Sequence, residues 1–239
     1  MNASTSAAIK VIASNAVKEA CAHLMPRFEQ ASGHAVCAIW GGTLDISRRV
    51  WGGEVVDLVI LAAERIDDLI RQGRLKAGSR VDLARSGVGV AVRAGARKPD
   101  ISSGAALRTA LLAARSIVLS SGPSSVHMAR LFERMGVAEE INAKMHQIGP
   151  GLPVAAAVAR GEGEIGFTQV SELLGADGVA FVGALPAEVQ LVTVWSAGVH
   201  VAAAQAEAAT ELVGFLRGAE AGEVFRRCGM EAVGDGGGG

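Results

Sequence analysis

Apolar and polar positions along the 239-residue chain alternate between two periods. Short runs rich in β-branched residues, Ile9 to Ala13, Ala35 to Trp40 and Val55 to Leu61, read as strands. Each is followed by a segment whose apolar residues recur at three- and four-residue spacing, the period of an amphipathic helix. Residues 16–31 place Val17, Ala20, Cys21, Leu24 and Phe28 on one such face, and Gly33 follows as a helix stop. Gly41-Gly42-Thr43 opens a second helix carrying Ile46 and Val50, and a third spans Ala63 to Gln72. Similar grammar resumes near Gly87. Strands are expected at Val88 to Val92, Ile117 to Ser120, Glu164 to Thr168 and Val189 to Trp195. Helices are expected at Ser103 to Ala114, Val126 to Met135, Val154 to Arg160, Gln205 to Arg217 and Ala219 to Cys228. Strand and helix alternation of this kind predicts an α/β fold built on mainly parallel sheets flanked by helices.

Composition narrows the functions such a fold can carry. Half the residues are apolar and a fifth charged, the balance of a chain with a sizeable core. Lys and Arg number 23 against 24 acidic residues, with no basic block, so nucleic acid is not an expected partner. The aromatic residues, 4% with no Tyr, make no platform for stacking bases. Cys21, Cys37 and Cys228 are odd in number and form no CxxC pair, which supports neither a disulfide framework nor a zinc site; they read as small buried apolar residues. No GxxxxGK[ST] occurs, and Gly161, Gly163 and Gly166 run into a strand rather than opening a helix, so no nucleotide, metal or other cofactor is expected. No apolar run is long enough to span a membrane. The opening MNASTSAAIKVIAS lacks a basic region, an apolar stretch and a cleavage site, so the cytoplasm is the expected location as written, or the periplasm if a leader has been removed. The glycine-dominated Gly234 to Gly239 is expected to fray.

Four strand-to-helix junctions concentrate small residues with hydroxyl or amide donors. They are Ser14-Asn15, Gly41-Gly42-Thr43, the turn holding Ser121, Ser124 and Ser125, and Thr168-Gln169-Val170-Ser171. Such a junction offers unpaired backbone N–H groups and the positive end of a helix dipole, which together favour an anion. Ser, Thr and Asn are also ordinary helix caps, so one junction alone says little. Four of them, after strands of two similar units, point to a shared pocket. Arg48, Arg49 and Arg85 are the cations nearest these loops in sequence and could pair with a carboxylate. His127, just after the Ser-rich turn, and Glu172, beside the fourth loop, are the candidate proton carriers. His23, His34, His146 and His200 have no ligand spacing, and no Ser-His-Asp or Cys-His arrangement is visible.

These residues carry a resemblance. GLPVAAAVARGEGEIGFTQVSELL, Gly151 to Leu174, resembles the second-lobe segment of molybdate-type solute-binding proteins. EVVDLVILAAERIDDLIRQGRL, Glu54 to Leu75, resembles a strand and helix of the same family, and RVDLARSGVGVAVRAGARKPDISS, Arg80 to Ser103, resembles its crossing into the second lobe. The likeness covers about residues 9 to 230. It implies the type II periplasmic-binding-protein architecture: two α/β lobes, two crossovers and a ligand cleft between them. The first lobe would take residues 1–84 and 194–239, the second 85–193. Where the family offers consecutive hydroxyls in its first loop and a Ser-rich second loop, this chain has Ser14-Asn15-Ala16 and Trp40-Gly41-Gly42-Thr43. Gln169 stands about where the family's late Tyr would fall. The stretches RVDLARSG, KPDISS and QVSELL resemble a branch of the superfamily that includes aconitate isomerase.

The resulting expectation is a protein that binds a small anion, an organic carboxylate or an oxyanion such as molybdate, with a transporter permease as partner if the chain is exported. The alternative is a cofactor-independent isomerase that shifts an allylic proton on an unsaturated tricarboxylate, with His127 or Glu172 carrying the proton. A ligand sensor with a degenerate cleft is the third reading.

Overall fold

The computed structural model describes residues 7–149 and 152–233; the glycine tail lies outside them. In chain order the strands are β1 (Ile9–Ser14), β2 (Val36–Gly41), β3 (Leu58–Ala62), β4 (Val81–Arg93), β5 (Ile117–Leu119), β6 (Met145–Gln147), β7 (Ile165–Gln169), β8 (Val179–Ala184), β9 (Val192–Val199) and β10 (Glu231–Ala232). The helices are α1 (Lys18–Ser32), α2 (Thr43–Trp51), α3 (Ala63–Arg71), α4 (Gly104–Ala113), α5 (Pro123–Arg134), α6 (Ala138–Asn142), α7 (Val154–Ala159), α8 (Val170–Leu173), α9 (Ala206–Leu216) and α10 (Ala219–Arg227). As far as they are described, the residues form two compact units, Met1–Arg85 with Val194–Gly239, and Ser86–Thr193.

In the first unit β1 lies between β2 and β3, parallel to both, and β3 pairs antiparallel with β9. β3 reads as an unbroken apolar run, and β1 as one interrupted by the exposed Lys10, because both their faces are covered. Ile9, Val11, Leu58 and Ile60 face a core closed by α1, α9 and α10 through Leu24, Phe28, Leu212 and Phe225. Ile12, Val59 and Leu61 face the other core, closed by Ile46 and Val50 of α2 and Ile66 and Leu69 of α3. Gly33 ends α1 with φ of 76°, a left-handed conformation that favours glycine. Cys21 lies in the first core, and burial pushes its thiol up to about 12, so it is inert there. Cys228 is half-buried and Cys37 is exposed, so the expectation of burial holds for Cys21 alone.

In the second unit β5 lies between β6 and β7, parallel to both, while β7 and β8 pair antiparallel with β4. Each unit therefore joins a parallel trio to antiparallel neighbours. Val88, Val90, Leu119 and Phe167 pack under α4 and α5, and Val118 packs with Val154 and Val158 of α7 on the opposite face. α7 comes so close that a Cβ on Gly166 would sit 2.5 Å from Val158 Cγ2 and 2.7 Å from Val154 Cγ1. Gly161 turns the chain at φ of 79°. The glycine string thus serves a turn and a close helix–strand approach.

Several boundaries depart from the sequence expectation for identifiable reasons. β4 begins at Val81 rather than Val88, its first half masked by Asp82, Arg85 and Ser86. Val189 closes a short 3₁₀ turn, and β9 starts only at Val192, because the Gln190 side chain stands in for a strand. Its Oε1 accepts from the Val88 N–H at 2.7 Å and its Nε2 donates to the Val88 carbonyl at 3.0 Å. α5 begins at Pro123 rather than Val126, since proline at the first helical position loses nothing by lacking an N–H. β6, β8, β10 and α6 were not anticipated from the pattern. Among the described residues no helix is long and apolar enough to cross a membrane, and no cluster of three metal-ligating side chains occurs.

The first unit is assembled from both ends of the chain, and Asp57 ties them together. Its buried carboxylate accepts from the Lys10 N–H of β1 and from the Gln205 N–H before α9, both at 2.8 Å. Its backbone carbonyl accepts from the His200 N–H at 3.1 Å. Replacing Asp57 by Ala should cost about 1–3 kcal/mol for each of the two stranded donors. Asn, which keeps one acceptor, should cost less. Urea denaturation of both variants checks the order, and equal stability of Ala and wild type would refute it.

Candidate functional site

Parallel strands in register end together, so their following loops share one sheet edge. In the first unit Ser14 is the direct neighbour of Gly41, about 4.8 Å away across the ladder, and β3 ends beside them. All three strands run straight into helical structure: the 3₁₀ turn Asn15–Val17, α2 and α3. Ser14 is buried, caps the 3₁₀ turn and accepts from the Ala16 N–H at 3.3 Å. Gly42 precedes α2 without any side-chain cap, and Thr43 opens the helix nearly buried. A Cβ on Gly41 would press on Ile46 Cγ1 at 3.3 Å, so that loop packs tightly against its own helix. Trp40, the residue before that loop, packs against the first core.

The cations divide differently from their sequence neighbourhood. Arg49 is held by Glu54 in a two-pronged pair at 2.6 and 2.7 Å, which raises the Arg49 pKa and lowers that of Glu54. Arg48 lies with it in the last turn of α2, at the far end from Thr43, in a groove beside the exposed Trp51. Neither belongs to the loop edge. Arg85 is exposed on β4 opposite Glu231 and pairs with no carboxylate among the described residues.

In the second unit β5 and β7 are parallel, Leu119 opposite Phe167, and deliver the Ser-rich turn and Gln169 to one edge. Ser121 is half-buried in the turn, whereas Ser124 and Ser125 lie buried in the first turn of α5. Their hydroxyls meet Ser120 Oγ at 3.1 and 3.4 Å, and Ser125 also donates to the Ser120 carbonyl. Ser120, which the sequence reading left inside a strand, is therefore the hub of this turn. His127 is placed by a 2.7 Å contact from Nε2 to the Val189 carbonyl, which assigns the ring proton to that nitrogen. It serves the fold of this unit through that bond.

Gln169 closes β7, fully packed. Its Nε2 approaches Thr193 Oγ1 at 3.5 Å, and its Oε1 is buried with no partner among the described residues. Ser86 and Ser171, both buried, touch through their hydroxyls at 3.4 Å. Ser86 and Thr193 escaped the sequence reading because they sit on the crossing segments, where polar residues read as breaks rather than as a lining. Glu172 follows in α8, accepting from Thr168 Oγ1 at 3.0 Å. Although part of the residue reaches solvent, burial of the carboxyl pushes it up to about 7, against the opposing pull of Thr168 and the Gln169 N–H. The edge thus holds hydroxyls, an amide and a carboxyl that keeps its proton to a higher pH than an ordinary glutamate.

The chain belongs to the family of bacterial extracellular solute-binding proteins, whose model it matches over residues 9–231. It is 34% identical over 231 residues to an aconitate isomerase from a Pseudomonas species, covering 94% of this chain and 88% of that protein. Its fold is that of the periplasmic molybdate-binding protein of Azotobacter vinelandii, with a TM-score of 0.78 at 20% identity over 93% of this chain and 98% of the other. The sulfate-binding protein SubI of Mycobacterium tuberculosis matches with a TM-score of 0.75, at 20% identity over 95% and 87% of the two chains.

A carboxyl raised from 4.5 in the unfolded chain to about 7 in the folded one makes folding take up a proton between those values. Its contribution is full below pH 4.5 and is lost as pH rises through 7. Wild type should therefore lose stability relative to Glu172→Gln across that window. Urea midpoints measured against pH will show it, and parallel curves would mean that Glu172 is charged in the folded protein.

Proposed function

We propose that the chain binds a small anion, an organic carboxylate or an oxyanion, through the loops at the carboxyl ends of its parallel strands. One observation carries this reading: in each unit those strands bring buried hydroxyl or amide groups to one sheet edge, at the start of a helix. Fixed N–H dipoles and hydroxyls hold an anion without a full positive charge in contact with it. Gln169 fits the same role. Turned over about its Cγ–Cδ bond, it gives its oxygen to the Thr193 hydroxyl and frees its N–H groups for the ligand. The folds of molybdate- and sulfate-binding proteins, and membership in a solute-binding family, support the class of ligand. Asn15, Gly41 and Gly42 of the first unit and Ser121 of the second belong to the same proposed set of loop contacts. In this reading the protein acts outside the cytoplasmic membrane and delivers its ligand to a permease.

A thermal-shift series with molybdate, tungstate, sulfate, phosphate, citrate and both aconitates tests the proposal, because a ligand selective for the folded state raises Tm. For the ligand that does so, Ser14→Ala and Gln169→Leu should each weaken binding by about 1 kcal/mol or more, roughly fivefold. Unchanged affinity in both variants would remove these loops from the site.

The second reading is the isomerase, favoured by the 34% identity to an aconitate isomerase and by the carboxyl of Glu172 poised near 7. A base takes a proton from the methylene next to a carboxylate, the double bond migrates along the allyl system, and the proton returns at the other allylic carbon. No electrons leave the substrate and no cofactor is required. Glu172 can carry that proton in either direction near neutrality, whereas Nε2 of His127 is engaged with a carbonyl. Glu172→Gln should then slow cis–trans interconversion by about 100-fold or more while retaining aconitate binding. Full turnover in this variant, followed by the ultraviolet absorbance of the two isomers, would rule out Glu172 as the carrier.

A further inference from the structure

We infer a second ligand site in the Ser86–Thr193 unit, at the end of β7 away from Gln169, that accepts an amphipathic monoanion with a flat apolar body. A cavity of about 560 Å³ opens there, within the range of small-molecule pockets. Its position separates it from the proposed anion loops. It reaches Glu164 and Ile165 at the start of β7, whereas Gln169 lies four residues on, about 13 Å along an extended strand.

The lining has two parts. Val92 and Ile165 close the sheet side, and Ala106, Ala110, Ala113 and Ala114 present only methyl groups from α4 and its end, leaving a slot that longer side chains would fill. The turn between β4 and α4 supplies the rim, with Arg97 and Lys98 beside Asp100. The carboxylates of this cavity are already committed. Asp100 accepts from the Ser102 N–H at 2.9 Å, which holds its carboxyl below the usual range. Glu164 accepts from the Arg115 N–H at 2.8 Å and pairs with the Arg115 guanidinium at 3.5 Å. Arg97 and Lys98 pair with no carboxylate among the described residues. Two unmatched cations over a methyl-lined slot select a ligand with one anionic head and an apolar body. The proposed anion loops offer hydroxyls and amides to a small polar ion, so the two chemistries do not overlap.

Two probes share one body and differ in charge: 8-anilinonaphthalene-1-sulfonate and its uncharged analogue N-phenyl-1-naphthylamine. Fluorescence titration of the full chain should show the sulfonate binding at least tenfold more tightly. The surface double variant Arg97→Glu/Lys98→Glu should lower sulfonate affinity at least tenfold and leave the uncharged probe unchanged. Ala110→Phe should abolish binding of both, with Tm confirming that the variant folds. Equal affinity for the two probes, or sulfonate binding indifferent to both variants, would overturn the site. So would sulfonate binding lost in Gln169→Leu but kept in Ala110→Phe, which would move the probe to the anion loops.

Discussion

The buried carboxylate of Asp57 is the interaction on which the rest of the first unit depends. That unit is discontinuous: more than a hundred residues, folded as a body of their own, separate its two pieces. Bringing the pieces together carries a loop-closure cost that grows only slowly with the length between them, but it must be met by contacts joining β1 and β3 to the returning chain. Asp57 meets it with directional bonds to Lys10 and Gln205, 47 and 148 residues away, and with its carbonyl on His200. Asp82 makes a second such link, accepting from Ser196 Oγ at 2.7 Å across 114 residues. His200 shows how tightly this seam is closed. Its Nδ1 accepts from the Ala202 N–H, its Nε2 is buried without a partner among the described residues, and burial, followed by the nearby Arg74 charge, lowers its pKa.

This seam lies at the start of β3, and the candidate site lies at the other end of the same strands. A parallel sheet makes that division of labour natural. Rigid burial at the amino ends fixes the register, and the register in turn places Ser14 against Gly41 and ends three strands on one line. Loops anchored in this way present N–H groups that are already oriented, so binding spends little on ordering them. The second unit repeats the plan with different chemistry. Its Ser-rich turn is locked by hydroxyl contacts through Ser120, and its β7 loop is locked by packing around Gln169 and Ser171.

How much of this the sequence disclosed follows from how locally each feature is encoded. Strands buried on both faces, such as β1 and β3, were legible as apolar runs, and Gly33 marked the end of α1 by its left-handed conformation. The four loops were legible as strand-to-helix junctions because small polar residues there cap helices. What stayed hidden depends on partners distant in sequence. β4 looked broken at Asp82 and Arg85 because its partners come from the far end of the chain: Ser196 donates to Asp82, and the backbone at Arg85 pairs with Glu231 of β10. The role of Gln190 as a surrogate strand needs Val88, 102 residues away. Arg48 and Arg49 looked close to a loop because sequence distance ignores helix direction: a helix of nine residues carries its last turn about 10 Å from its first. Ser120 was assigned to a strand, one residue beyond where β5 stops, and so its place at the centre of the turn went unseen.

The charge of the β7 loop in the second unit turns on a single proton. An ionised Glu172 at the β7 loop would put a negative charge next to the groups best suited to an anion, and repulsion would undo what the hydroxyls offer. Protonated, the same carboxyl is neutral and can donate a hydrogen bond. Burial favours that protonated form up to about pH 7 without any counter-cation, and no charged neighbour contributes to the shift. Linkage then works in both directions. An anion bound nearby favours the protonated form, and the protonated form favours the anion, by the same coupling free energy. A carboxyl held in this state suits a binder that takes up its ligand together with a proton. It equally suits an isomerase that must lend a proton and take it back. The two readings therefore share one physical origin, and they part only at whether the bound ligand has a carbon acid within reach of Glu172.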